Sequence, residues 1–103
     1  MKTESYDLFL QEELRDPELA AAYLNAAMAE GSREIFLIAL RNVAEAYGGI
    51  GAVADAADLN RQSMYRTLSS EGNPTLTTLL NILKAVGLDL SFTPTASTPT
   101  AST

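Results

Sequence analysis

The sequence predicts an all-α domain of five helices with an N-terminal helical extension, followed by one short C-terminal strand. Three observations carry that expectation. Apolar residues recur at three- and four-residue spacing through most of the chain. Residues that start or stop helices punctuate it at regular intervals: Asp16-Pro17, Gly31-Ser32, Gly48-Gly49, Asn60, Thr75 and Gly87. Near the end, Leu88, Leu90 and Phe92 alternate with polar residues, which is the strand period.

The elements follow in order. Asp16 caps a helix whose first residue is Pro17, where the missing N–H loses no bond. This helix runs through ELAAAYLNAAMAE to Gly31, with Leu19, Tyr23, Ala26 and Ala27 on one face. Ser32 caps the second, REIFLIALRNVAEAY, which stops at Gly48-Gly49. Its polar residues Glu34, Arg41 and Glu45 form one narrow stripe, so it should lie centrally and be buried on several sides. A short third helix runs from Ile50 to about Ala57, with Val53, Ala54 and Ala57 inward. Asp58-Leu59 makes a tight turn, and Asn60 caps a fourth helix from Arg61 to about Ser69.

After a loop at 70–74, Thr75 caps LTTLLNILKAV, with Leu76, Leu79, Leu80, Leu83 and Val86 facing inward. Gly87 ends it in a left-handed cap that Leu88 can close. The strand at 88–92 has no partner within a helical chain, and its N–H and C=O groups need one. It can pair with the same strand of a second copy across a two-fold axis, or lie as an extended tail on the helices. TPTASTPTAST at 93–103 repeats a five-residue motif without core-forming residues and is expected to be disordered.

Composition narrows the chemistry. The chain has 103 residues, 47% of them hydrophobic, which suits one domain with its own core. Cys and His are both absent. Disulfides, the usual zinc and haem ligand sets, and Ser-His or Cys-His nucleophiles are thereby excluded. Neither a metal nor a cofactor is expected, and an enzyme is the least favoured class: nothing in the spacing brings Ser63 or Ser69 to Lys84. The lack of Cys fits a reducing cytoplasm. No run approaches the roughly 18 apolar residues of a membrane span. MKTESYDLFLQEELRD has no long apolar stretch, so no secretory signal is expected.

The formal net charge of -6 is unevenly spread. Residues 1–47 carry nine acids and four bases, whereas residues 48–103 carry four acids and three bases. An acidic half beside a near-neutral half suggests two surfaces with two kinds of partner, although acidity also serves solubility.

The segment GAVADAADLNRQSMYRTLS has the parts of a helix-turn-helix: a small-residue first helix, a tight turn, and a second helix with polar residues outward near its start. Met64, Thr67 and Leu68 can face the core. Arg61, Gln62, Tyr65 and Arg66 then face outward. Arg can bond guanine O6 and N7 together, and Gln can do the same with adenine N6 and N7. Asn60 and Ser63 can reach phosphate, and Tyr65 can rest on sugar or phosphate. An ordinary solvated helix face would use similar residues.

IGAVADAADLNRQSMYRTLSSEGNPTLTTLLNILKAVGLDLSF resembles the Cro/C1-type (lambda-repressor-like) helix-turn-helix domain. More narrowly, it resembles the addiction-module antidote proteins, the antitoxins of toxin–antitoxin pairs of the host-inhibition-of-growth group. LNRQSMYRTLS, EGNPTL and LKAVGLDL carry most of the match, and DPELAAAYLNAAMAEGSREIFLIALRNVAEAYG resembles that family's N-terminal helices. Asp58 stands where the family often has Gly, and Asp tolerates the left-handed conformation better than most residues.

The resemblance implies a cytoplasmic antitoxin that binds a palindromic operator, represses its own operon and neutralises a small basic toxin of the RelE superfamily. Its DNA contacts would be Asn60, Arg61, Gln62, Ser63, Tyr65 and Arg66. Glu12, Glu13, Asp16, Glu18 and Glu30 could face the basic toxin and speed encounter. A homodimer would form through the 88–92 strand. The expected organisation is an N-terminal helical segment at 1–47, a helix-turn-helix domain with its strand at 48–92, and the tail at 93–103. Two other readings stay open: a phage-type repressor without a toxin, and a protein-interaction module that has lost DNA binding.

Overall fold

Four polar side chains set four helix starts in the computed structural model, which describes residues 2–95. Asp16 Oδ1 accepts from the Glu18 N–H, Ser32 Oγ from Ile35, Asn60 Oδ1 from Ser63 and Thr75 Oγ1 from Thr78, at 2.9–3.2 Å. Each satisfies an N–H that the first helical turn leaves without a backbone acceptor. The chain folds into α1 (Lys2–Leu14), α2 (Pro17–Ala29), α3 (Arg33–Ala46), α4 (Ile50–Ala56), α5 (Arg61–Thr67) and α6 (Leu76–Ala85). Gly31, Gly48, Gly49 and Gly87 all have positive φ and end helices where the sequence placed the stops. At Gly87, the Leu88 N–H reaches back to the Leu83 carbonyl at 2.9 Å, and Leu88 folds against the core.

The architecture is all-helical, but with six helices among the described residues rather than five. The additional one is α1. It buries Leu14, half-buries Leu10, and leaves Tyr6, Leu8 and Phe9 exposed. α3 packs against α1, α2 and α4, and α4 in turn packs against α5 and α6. The buried apolar cluster draws on every helix, centred on Leu37, Leu40, Val43, Ile50, Val53, Met64, Leu68 and Ile82. α3 is therefore central, as its pattern requires, yet Ile35 and Ile38 remain exposed beside α2.

Three expectations need correction. In α2, Leu19 and Ala26 of the expected apolar face are exposed, and the buried positions are Ala20, Leu24 and Ala27. In α6, Leu79, Leu83 and Val86 face inward, but Leu76 and Leu80 are exposed and Ile82 is fully buried. At about 100° per residue, positions 79, 82, 83 and 86 share one arc of about 100°, whereas 80 lies outside it and 76, at the start of the helix, lies just beyond its edge. The segment 88–92 forms no strand in the single chain; no regular structure follows Ala85 among the described residues. A lone extended segment has no ladder to join. Of the tail at 93–103, residues 93–95 are exposed and irregular, and residues 96–103 lie outside the described part. Among the described residues, no helix is long and apolar enough to cross a membrane.

Candidate nucleic-acid interface

α4 and α5 are joined by residues 57–60, and the geometry of this turn sets what α5 presents. Val53, Ala54 and Ala57 are buried with 5% exposure or less, and only their small size allows close approach. Asp58 has φ +60°, the only positive φ outside glycine among the described residues. It acts as a left-handed helix terminator. The Leu59 N–H returns to the Ala54 carbonyl at 2.8 Å, and the Asp58 N–H to the Asp55 carbonyl at 3.1 Å. Leu59 then tucks partly into the core, and Asn60 opens α5.

α5 is held by two anchors. Met64 and Leu68 are 0% exposed, one turn apart, and each is worth about 1.5–3 kcal/mol of burial. Thr67 is half-buried beside them. Burying that side leaves Arg61, Gln62, Tyr65 and Arg66 exposed. The side chains expected to contact DNA are therefore brought onto one short helix, with different engagements. Asn60 uses its Oδ1 as the cap, leaving its amide NH₂ to donate. Ser63 is half-buried. Arg66 makes no ion pair among the described residues.

Arg61 is occupied. Its Nη2 lies 2.7 Å from Asp55 Oδ2 and its Nε donates to Oδ1 at 3.4 Å, across the turn to α4. Both side chains stay exposed, at 63% and 60%. The hydrogen bond from Arg61 holds the Asp55 carboxyl below its usual range, and the same bond raises Arg61 further. Tyr65 is engaged too: the Arg41 guanidinium of α3 sits 5.8 Å from its ring centroid. Arg41 was not among the residues expected here, because its stripe on α3 reads in sequence as solvated surface. The contact brings an N-terminal cation to the edge of α5.

The family described as probable addiction module antidote protein has a sequence pattern that matches residues 2–94. The chain belongs to that family. A relative in Haemophilus influenzae, described only as an uncharacterized protein, is 34% identical over 82 residues. The match covers 80% of this antidote protein and 84% of the relative. No solved structure matches.

An antidote implies a cognate toxin, and the acidic candidates for meeting it fall in two places. Glu12 and Glu13 close α1, Asp16 caps α2 and Glu18 lies in its first turn. All four are exposed around one helix corner. Glu30 is exposed at the opposite end of α2, about 18 Å along the axis from Glu18 at 1.5 Å per residue. The corner gathers four carboxylates, and Glu30 is not part of it. Asp16 also has a structural task, since its carboxylate caps α2.

Proposed function

We propose that this antidote protein is a DNA-binding antitoxin: α4–α5 acts as a Cro/C1-type helix-turn-helix, and the acidic N-terminal half neutralises a RelE-superfamily-like toxin. The observation that carries the DNA reading is the exposed group Arg61, Gln62 and Arg66 on a helix anchored from beneath by Met64 and Leu68. Such a group suits base edges, with Asn60, Ser63, Tyr65 and Arg41 toward the backbone. The protein would repress its own operon by binding a palindromic operator as a homodimer, with half-sites about 34–36 Å apart. The 88–92 segment is the proposed dimer contact. Phe92 is 89% exposed there, beside an apolar groove that includes Leu24, Met28, Phe36 and Leu90. The family description favours a toxin partner over a phage-type repressor without one.

The interaction-module reading has one observation in its favour: Asp55 offsets the charge of Arg61. Fluorescence anisotropy on the promoter DNA of its own operon separates the two. Arg61→Ala with Gln62→Ala is expected to weaken promoter binding by at least tenfold, since each bidentate base contact is worth about 1–3 kcal/mol. Unchanged binding would remove α5 as the reading helix. Purification together with its toxin, unaffected by the same substitutions, would keep the antitoxin role intact.

A further inference from the structure

We propose that Asp55 and Gly51 of α4 form a seat that presets the Arg61 guanidinium for its DNA contact, so that Asp55 is a positioning residue for operator specificity. The inference rests on the DNA-binding reading of α5.

Two independent features of α4 converge on the same side chain. The first is the carboxylate of Asp55, which takes the Nε and one Nη2 hydrogen of Arg61. A guanidinium carries five N–H donors in a rigid planar fork. Asp55 occupies the side edge, Nε with Nη2. The end edge, Nη1 with the second Nη2 hydrogen, remains open. Two parallel N–H groups on that edge match guanine O6 and N7, or a pair of phosphate oxygens. Pairing with Asp55 and bonding to DNA are therefore compatible.

The second feature is Gly51, in the second position of α4. Its backbone is ordinary helix with no positive φ, so the turn does not require glycine there. Glycine within a helix is less favourable than alanine. What alanine would meet is the Arg61 head. A Cβ at position 51 would lie 3.1 Å from Cζ and Nη1 and 3.3 Å from Nε. The missing side chain leaves a flat place on which the guanidinium rests, while the carboxylate one turn later grips its edge.

This arrangement has a consequence for recognition. A free arginine must lose rotamer freedom when it binds, whereas a seated one has already lost it. The carboxylate also repels phosphate, which lowers affinity for arbitrary duplex and leaves the specific contact favoured. The low positive charge of this half of the chain then serves discrimination.

The test compares two probes. One is the duplex that the wild-type protein enriches most from a random-sequence pool, and the other is a scrambled duplex of equal composition. Their affinity ratio is measured with a thermal melt of each variant. Asp55→Asn is expected to raise affinity for the scrambled duplex and lower the ratio about tenfold, with Asp55→Glu recovering part of it. Gly51→Ala is expected to lower the ratio similarly while the melting temperature holds or rises, because alanine favours the helix. A purely structural role would not produce that pairing. If the wild type enriches a duplex and Arg61→Ala loses it, but Asp55→Asn and Gly51→Ala keep the ratio, the seat is overturned and the DNA reading stands. A higher ratio in Asp55→Asn would make Asp55 a competitor for Arg61 and also overturns the proposal. If the wild type enriches no duplex, the DNA reading falls and this inference with it.

Discussion

Asp58 shows how one residue can fix a candidate binding surface. Its left-handed backbone lets the Leu59 N–H close α4, and that closure decides where α5 begins. Asp pays less than most side chains for this conformation, but glycine pays less still. Asp58→Gly is expected to stabilise the fold by about 0.5–1 kcal/mol, read by thermal or urea unfolding, with DNA affinity unchanged. The capping residues Asp16, Ser32, Asn60 and Thr75 were legible because each acts within three residues of itself. The Asp55–Arg61 pair was not, because it depends on the path of the turn between them. It also sets a pH expectation. The folded Asp55 carboxyl is depressed, so the pair is intact above the ordinary carboxylate range and is lost only as pH falls through the lowered value. The chain has no histidine. Promoter affinity is therefore expected to stay flat between about pH 5 and 7, by anisotropy at constant ionic strength. A step near pH 6 would mean that a group other than the Asp55–Arg61 pair controls binding.

At the scale of elements, legibility follows how one-sided a helix is. α2, α3, α5 and α6 each start at a capping side chain and α4 follows Gly48-Gly49, and the sequence places all five within a residue or two. α1 has no such signal before it. Its large apolar residues Tyr6, Leu8 and Phe9 remain exposed, and among its described side chains only Leu14 is buried, so no single stripe announces a helix. α6 fails differently. It offers leucines at 76, 79, 80 and 83 together with Ile82, more apolar positions than one buried face holds, and packing against α4 selects among them. The selection is testable by contrast. Ile82→Ala, at a fully buried position, is expected to cost about 2–5 kcal/mol. Leu80→Ser, at an exposed one, should stay within about 0.5 kcal/mol of wild type in the same unfolding assay. Equal losses would mean that α6 is rotated from the orientation described. The 88–92 alternation is a real period without a ladder in one chain, which is why it reads as a strand and does not form one here.

Across the whole molecule, the candidate surfaces for the two proposed partners come from different halves of the chain. The four carboxylates at the α1–α2 corner belong to the acidic half, while the exposed cations of α5 belong to the near-neutral half. Exposed carboxylates steer a basic partner more than they hold it: their attraction acts over a Debye length, about 8–10 Å at ordinary salt, and is screened beyond it. Glu12→Lys with Glu13→Lys is therefore expected to slow association with the toxin about tenfold in low salt, with a smaller change in dissociation, by surface plasmon resonance. The difference from wild type should shrink as salt is raised. Both residues lie outside the capping and core contacts, so folding should be unaffected, unlike a change at Asp16, which would remove the α2 cap as well. Glu30→Lys, at the far end of α2, serves as the control for position. If it slows association as much as the corner pair does, net charge rather than the corner guides the toxin. If neither variant changes the rate at low salt, the acidic half does not steer the toxin at all, and its contact must rest on apolar surface such as the exposed Ile35 and Ile38 of α3.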